Sequence, residues 1–171
     1  MDDSSRERVL SGLRQAMLTE ADGHAFYSMA AKSVQDAKGR KVLERLADDE
    51  RLHLETLKKQ HEALVKTGKL DGAVALPAPS DLAGPQAIFS AELKGRLAHA
   101  GLEMSTLSIG IQLELNSLKY YGGLADAEPA GPARDFFRSL ADWEKGHYEA
   151  LLAQYDDLKE SYWQAAGFSP F

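Results

Sequence analysis

Two glutamate–histidine pairs with the same spacing are the clearest chemical feature of the sequence. Glu50 and His53 form the first pair, Glu144 and His147 form the second, and each glutamate follows Leu-Ala-Asp and one further residue. Residues three apart lie on one face of a helix, so each pair can direct a carboxylate and an imidazole to one point. Such ligands suit iron, manganese or zinc. One pair alone is weak evidence, but two copies in similar surroundings favour a metal site.

A repeat with an offset of 94 residues relates the two halves of the chain. It places identical residues in register, with Leu13, Glu20, Tyr27, Glu50 and His53 matching Leu107, Glu114, Tyr121, Glu144 and His147. The repeat is interrupted beside the second pair, where Trp143 stands at the position of Asp49. Each half reads Glu-x6-Tyr on its first helix and Glu-x2-His on its second. This pattern predicts a duplicated helical hairpin.

Hydrophobic residues at helical spacing predict four helices, separated by segments rich in helix breakers. The first is expected to begin at an N-cap of Ser4 or Ser5 and to end near residue 33, before a turn at Asp36–Gly39. The others are expected to end near residues 67, 127 and 159, with a second turn at 128–132. The fold class is therefore all-α: a single domain over residues 1–171, a four-helix bundle of hairpins at about 5–67 and 97–159. A long crossover covers 68–96, with a short helix near 86–93, and the aromatic C-terminal extension is expected to cover the bundle end or a subunit contact.

The hairpins are expected to bring two sets of carboxylates to one level. Glu20 and Glu50 are equally far from the first turn, and Glu114 and Glu144 are equally far from the second, so each pair faces across its hairpin. Four buried carboxylates repel one another unless they are neutralised, and two divalent cations would balance them. The predicted ligands of two ions of iron, manganese or zinc are Glu20, Glu50, His53, Glu114, Glu144 and His147.

Other polar residues near these positions receive different interpretations. Tyr27 and Tyr121 lie seven residues after a predicted glutamate ligand, on the same face, and are expected to orient a carboxylate by a hydrogen bond. His24 lies four residues after Glu20 and is expected at the edge of the hydrophobic stripe, rather than in the site. His61 and His99 match no ligand spacing, and Trp143 is interpreted as a packing or interface residue. The acidic pairs Asp48-Asp49 and Asp156-Asp157 are interpreted as solvated faces.

Composition excludes several classes of function. The net charge of −6 argues against a nucleic-acid partner, which calls for a basic face. There is no apolar run of membrane-spanning length and no basic-then-apolar leader, so a cytoplasmic location is expected. The 171 residues contain no Cys, which excludes thiolate catalysis and sulfur-ligated metal centres within them.

The chain resembles the rubrerythrin-like branch of the ferritin-like superfamily over about residues 8–155. The motifs that carry the resemblance are 20–27, 50–53, 114–121 and 144–147. It implies a ferritin-like bundle with a carboxylate-bridged di-iron centre, in which Glu50 and Glu144 bridge while Glu20 and Glu114 are terminal. It also implies an oxidoreductase of the oxidative-stress type, which reduces peroxide or dioxygen with electrons from a separate donor protein, in a homo-oligomer such as a homodimer.

Two departures from the family pattern bear on activity. The absence of Cys removes the rubredoxin module that delivers electrons in rubrerythrins. Ser117 occupies the position, one turn beyond Glu114, where rubrerythrins offer an additional carboxylate, and Gly23 occupies the equivalent position after Glu20. Two other functions are compatible with the ligand pattern: a bacterioferritin-type ferroxidase for iron storage, and a non-catalytic bundle stabilised by metal.

Overall fold

The computed structural model describes residues 2–74, Leu76, Leu82, Ile88, Ser90 and 101–165, without the side chains of residues 162, 164 and 165. The described chain forms four helices: α1 (Asp3–Ser33), α2 (Ala37–Thr67), α3 (Gly101–Ala127) and α4 (Pro132–Ala165). Helix α1 packs along α2, α3 packs along α4, and the two hairpins meet where α1 contacts α3. The predicted all-α bundle of two helical hairpins is confirmed.

The starts of the first two helices depend on aspartate caps. The Asp2 side chain accepts a hydrogen bond from the amide of Ser5 at 2.7 Å, and Asp36 accepts one from the amide of Gly39 at 2.7 Å. Such bonds satisfy amides that have no partner within the helix. The prediction of Ser4 or Ser5 as the first cap is wrong, because Ser5 already lies in the first turn and its hydroxyl donates to Glu128.

The end of α2 agrees with its prediction, whereas α4 is longer than predicted. Helix α2 ends at Thr67 as predicted, and Gly68 follows it in the left-handed conformation (φ 72°) that glycine adopts without strain. Helix α4 continues to Ala165, beyond the predicted end near residue 159, since no proline or glycine interrupts the chain before Gly167. The predicted short helix at 86–93, the start of the third helix at 97–100 and the tail from 166 lie outside the described residues.

Two hydrophobic layers fill the bundle, one toward each end. The layer near the turn between α1 and α2 consists mainly of Tyr27, Ala30, Ala31, Val34, Leu43, Leu46, Ala47, Leu107, Leu151 and Leu158. The layer near the turn between α3 and α4 consists mainly of Val9, Leu10, Leu13, Ala16, Leu57, Leu64, Tyr121, Ala125, Phe137 and Leu140. The predicted ligands lie between these layers along the helices. No described helix combines the length and apolarity needed to cross a membrane.

Candidate metal centre

The structure brings all six predicted ligands together in the middle of the bundle. They form two overlapping groups, which we call the His53 set (Glu20, Glu50, His53 and Glu144) and the His147 set (Glu50, Glu114, Glu144 and His147). Within each set, one potential ligand atom from every residue lies within 4.8 Å of the others. Glu50 and Glu144 belong to both sets, whereas Glu20 and Glu114 belong to one each. The arrangement therefore has two adjacent positions for an ion.

Each helix contributes to the cluster at the middle of its length. The helix α1 supplies Glu20 and α3 supplies Glu114, while α2 and α4 each supply a glutamate and a histidine. All six side chains are buried, and the most exposed of them, Glu50, has only 4% of its surface accessible. A glutamate at such a position costs stability unless its charge is compensated.

The two histidines face the cluster through the same ring nitrogen. Nδ1 of His53 lies 3.1 Å from Oε2 of Glu20 and 3.2 Å from Oε1 of Glu144. Nδ1 of His147 lies 3.6 Å from Oε2 of Glu114 and 3.8 Å from Oε1 of Glu50. The imidazole rings are nearly parallel, at 24°, with their centroids 6.0 Å apart. Both rings thus direct Nδ1 inward and Nε2 toward the surrounding protein.

Buried polar atoms without hydrogen bonds indicate that the cluster suits a cation. Within the described part of the chain, Nδ1 of His147 and Oε1 of Glu144 have no hydrogen-bond partner although both are buried. Buried polar atoms in proteins are normally paired, so each unpaired atom calls for a ligand, an ion or a strained alternative. Imidazole nitrogens and carboxylate oxygens at this spacing are the donors that iron, manganese and zinc accept. The residues therefore fit a pair of divalent transition-metal ions.

The four glutamates divide into two electrostatic classes. Burial and the charges of Glu20 and the other carboxylates raise the pKa of Glu50 well above its usual value, and Glu144 behaves likewise. Burial also acts to raise the pKa of Glu20, but hydrogen bonds with Glu50 and His53 outweigh it and lower that pKa. The pKa of Glu114 is also lowered, against burial, by its close approach to His147 and Glu144. In the absence of metal, these directions favour a proton on each shared glutamate and a negative charge on each unshared one.

The pKa values of the two histidines are also shifted by the neighbouring carboxylates. Burial acts to lower the pKa of His53, but its hydrogen bonds with Glu20 and Glu50 raise it to about 10. The pKa of His147 is also raised, against burial, by Asp49 and Glu114. Both shifts favour the imidazolium form in the metal-free cluster. With both histidines and both shared glutamates protonated, the six side chains would carry two positive and two negative charges, a net charge of zero. Replacing the four protons of these acids by two divalent cations keeps it at zero.

Two tyrosines link the hairpins through the cluster. The Tyr27 hydroxyl donates to Oε1 of Glu114, and the Tyr121 hydroxyl donates to Oε1 of Glu20. Burial and the nearby carboxylates raise the pKa of both phenols well above the usual value, so both remain donors at neutral pH. Each tyrosine follows a glutamate on its own helix, but its hydrogen bond crosses to the glutamate of the other half. The predicted hydrogen bonds to carboxylates are present, and their crossed arrangement depends on how α1 packs against α3.

Two glycines leave room for these side chains. A Cβ atom at Gly110 would lie 3.1 Å from the Tyr27 hydroxyl oxygen, and one at Gly23 would lie 3.3 Å from the carboxyl carbon of Glu50. Position 23 therefore faces the cluster. Ser117, its counterpart in the repeat, is also buried.

Asp49 is a residue near the cluster whose surroundings the sequence interpretation missed. It is buried, and its Oδ2 lies 3.3 Å from Nε2 of His147, so its assignment to a solvated face is wrong. Its counterpart Trp143 is buried as well and packs edge-to-face on His53, with ring centroids 4.5 Å apart. One sequence signal was available: Asp49 precedes His53 by four residues and so shares its helical face.

Neither of the two other histidines that the structure describes belongs to a ligand set. Nδ1 of His24 lies 2.8 Å from the carbonyl oxygen of Ala47, and His61 belongs to neither set. His99 lies outside the described residues. Of the acidic pair near the end of α4, Asp156 is exposed and Asp157 half-buried, as befits a surface pair.

Comparison of the chain with family models, with curated proteins and with solved structures finds no match. The buried cluster is therefore the feature of the chain that indicates a function.

Proposed function

We propose that this protein is a di-iron carboxylate oxidoreductase that reduces peroxide or dioxygen with electrons from a separate donor protein. The observation that carries the proposal is the buried cluster of four glutamates and two histidines with two adjacent ligand sets. Four carboxylates with two neutral imidazoles also balance the charge of two divalent ions rather than one. Manganese and zinc accept the same donors, but iron combines this ligand preference with the two oxidation states that the proposed reaction needs.

In this proposal, the position of each glutamate determines its role. Glu50 and Glu144 belong to both sets and would bridge the ions, while Glu20 and Glu114 would each bind one ion. The crossed hydrogen bonds from Tyr121 and Tyr27 hold one oxygen of Glu20 and of Glu114, which leaves the other oxygen of each to face an ion. Hydrogen bonds of this kind orient metal ligands.

The surroundings of the cluster favour controlled redox chemistry. Two ferrous ions bound there would supply the two electrons that, with two protons, convert hydrogen peroxide into two water molecules. The hydrophobic layers on both sides exclude bulk water, and the helices that they pack together hold the ligands in place. The 171 residues contain no Cys and so provide no thiolate-bound centre for re-reduction. The proposal therefore includes an external electron donor.

Anaerobic loading with ferrous iron followed by one equivalent of hydrogen peroxide tests this function. The expected result is oxidation of two iron ions per peroxide, visible as ferric charge-transfer absorption, and repeated cycles when a reductant is supplied. Glu50→Gln is the negative control, since it removes a shared ligand, and Glu149→Gln changes an exposed glutamate of α4 without touching the cluster. Protein that binds two ferrous ions but shows no absorbance change would instead be a metal-stabilised bundle.

Size-exclusion chromatography separates the proposal from iron storage. A storage ferroxidase assembles into a cage of hundreds of kilodaltons and accumulates ferric mineral beyond its bound pair. The proposed oxidoreductase is expected to elute as a small homo-oligomer, such as a dimer of the 18.7 kDa chain, and to hold two iron ions per chain after repeated oxidation. A cage that holds many iron ions per chain would contradict the proposal.

A further inference from the structure

The two halves of the cluster differ most in what lies behind the histidines. Nε2 of His147 lies 3.3 Å from the Asp49 carboxylate of the other hairpin. Nε2 of His53 is buried and has no hydrogen-bond partner in the part of the chain that the structure describes. The aromatic residue Trp143 packs against the His53 ring. Asp49 and Trp143 occupy equivalent positions of the repeat, so one exchange of residue type separates the two environments.

A carboxylate behind a metal-bound imidazole changes the imidazole as a ligand. When Nδ1 binds a cation, the proton of the neutral ring is on Nε2, and that N–H can donate to Asp49. Such a hydrogen bond fixes the tautomer and ring orientation and makes the ligand more basic, and its loss typically costs 10- to 100-fold in metal affinity. Trp143, at the equivalent position of the repeat, packs against the His53 ring but offers no charged hydrogen-bond acceptor.

The indole of Trp143 also contacts His147. Its N–H lies 3.1 Å from Nε2 of His147, the same nitrogen that faces Asp49. Nε2 either donates a hydrogen bond to Asp49 or accepts a hydrogen bond from the indole N–H, and it cannot do both at once. Metal on Nδ1 of a neutral ring leaves the proton on Nε2 and therefore selects Asp49 as the partner.

We infer that Asp49 and Trp143 make the two metal positions unequal, so that the His147 position binds a divalent ion more tightly and fills before the His53 position. The inference rests on the proposed metal centre and adds an order of filling to it. Asp49 acts here as a positioning residue, because it contacts a ligand rather than an ion.

Partial loading followed by crystallography tests this order. Crystals are grown anaerobically from protein that received one equivalent of Fe²⁺, and the anomalous signal at the iron edge is measured at both positions. For independent positions, a tenfold difference in affinity gives occupancies of about three to one, and a hundredfold difference about ten to one, in favour of His147. The readout is occupancy and does not depend on turnover.

Three variants separate the contributions. Asp49→Asn removes the charged acceptor with little change of shape and is expected to bring the occupancies close to equal. Asp48→Asn, at the exposed neighbouring residue that pairs with Arg51, is the matched control and is expected to keep the unequal ratio. Trp143→Phe keeps an aromatic ring against His53 but removes the indole N–H, and it is also expected to keep the ratio.

The outcomes distinguish this inference from the proposed function. Equal filling of the unmodified protein, or filling of the His53 position first, would overturn the order while leaving the metal centre intact. An unchanged ratio in Asp49→Asn, or an equal ratio in Trp143→Phe, would overturn the role given to Asp49. Crystals without iron at either position would overturn the metal centre and the inference with it.

Discussion

The His53 set and the His147 set are built from the same residue types on repeated helices, yet their surroundings differ. The ligands themselves are identical between the halves, and so are the tyrosines that donate to Glu20 and Glu114. The difference begins one residue away, where Asp49 faces one histidine and Trp143 packs on the other. The repeat therefore preserves the six candidate ligands and their two phenol donors, whereas the residues next to them differ between the two sets.

The largest expected effect is on the amount of bound iron, when a shared ligand is substituted instead of an unshared one. Glu50→Gln removes a carboxylate from both sets and is expected to reduce bound iron from two per chain to near zero. Glu20→Gln removes a ligand from the His53 set alone and is expected to leave about one. The measurement is elemental analysis after anaerobic loading and gel filtration.

The same variants are expected to differ in metal-dependent stability. Each ion at a free concentration 1,000 times its dissociation constant stabilises the fold by about 4 kcal/mol, and Glu50→Gln should lose this gain at both positions. Metal-free Glu50→Gln should melt higher than the metal-free parent at neutral pH, because the amide avoids the burial cost of an ionisable carboxyl. If Glu20→Gln lost both ions, the division into shared and unshared ligands would be wrong.

The helices and the cluster could be predicted from the sequence because hydrophobic residues recur at helical spacing and the ligand motifs recur in both halves. Glu20 and Glu114 interrupt hydrophobic stripes at helical spacing, and the repeat duplicates each of them. Asp49 was not assigned correctly because it stands beside Asp48, and an acidic pair is typical of a solvated face. The crossed bond from Tyr27 to Glu114 depends on the approach of α1 to α3, which the spacing within one helix does not determine.

The next expected effect is a difference in how the free energy of unfolding depends on pH with and without metal. Without metal, the native protein holds protons on Glu50, Glu144, His53 and His147 at pH values where the unfolded chain has released them, because all four pKa values are raised. A raised pKa contributes stability below the unfolded value and loses it as the pH rises. The free energy of unfolding of the metal-free protein is therefore expected to fall between pH 7 and 8.5, by at least about 1 kcal/mol per pH unit.

The loaded protein is expected to show the opposite slope on the acid side. With ions bound, the histidines are neutral and the glutamates charged, so the unfolded chain binds more protons than the native state below pH 7. Stability should then rise from about pH 5 to 7 and stay nearly flat above it. Urea unfolding of both forms across this range is the measurement. Parallel pH profiles with and without metal would show that the cluster does not exchange protons for ions.

The smallest expected difference is the difference in stability between the two tyrosine variants. Tyr27→Phe and Tyr121→Phe each remove a donor to a buried carboxylate, and hydrogen bonds to charged groups contribute about 1.5–3 kcal/mol. The two variants are expected to lose similar stability, since their bonds are equivalent in the repeat. Tyr148→Phe, at a half-buried residue of α4 outside both sets, is the control and should change stability little. A large inequality between the variants would mean that the difference between the halves extends to the phenols.

Anaerobic calorimetric titration of the metal-free protein with Fe²⁺ tests the central claim most directly. Run at pH 7 in buffers of different ionisation enthalpy, it counts bound ions and released protons together. The expected result is two ions per chain and a release of protons, because the cations replace protons on histidines and glutamates whose pKa values are raised. Saturation at one ion, no binding, or binding of two ions without proton release would contradict it.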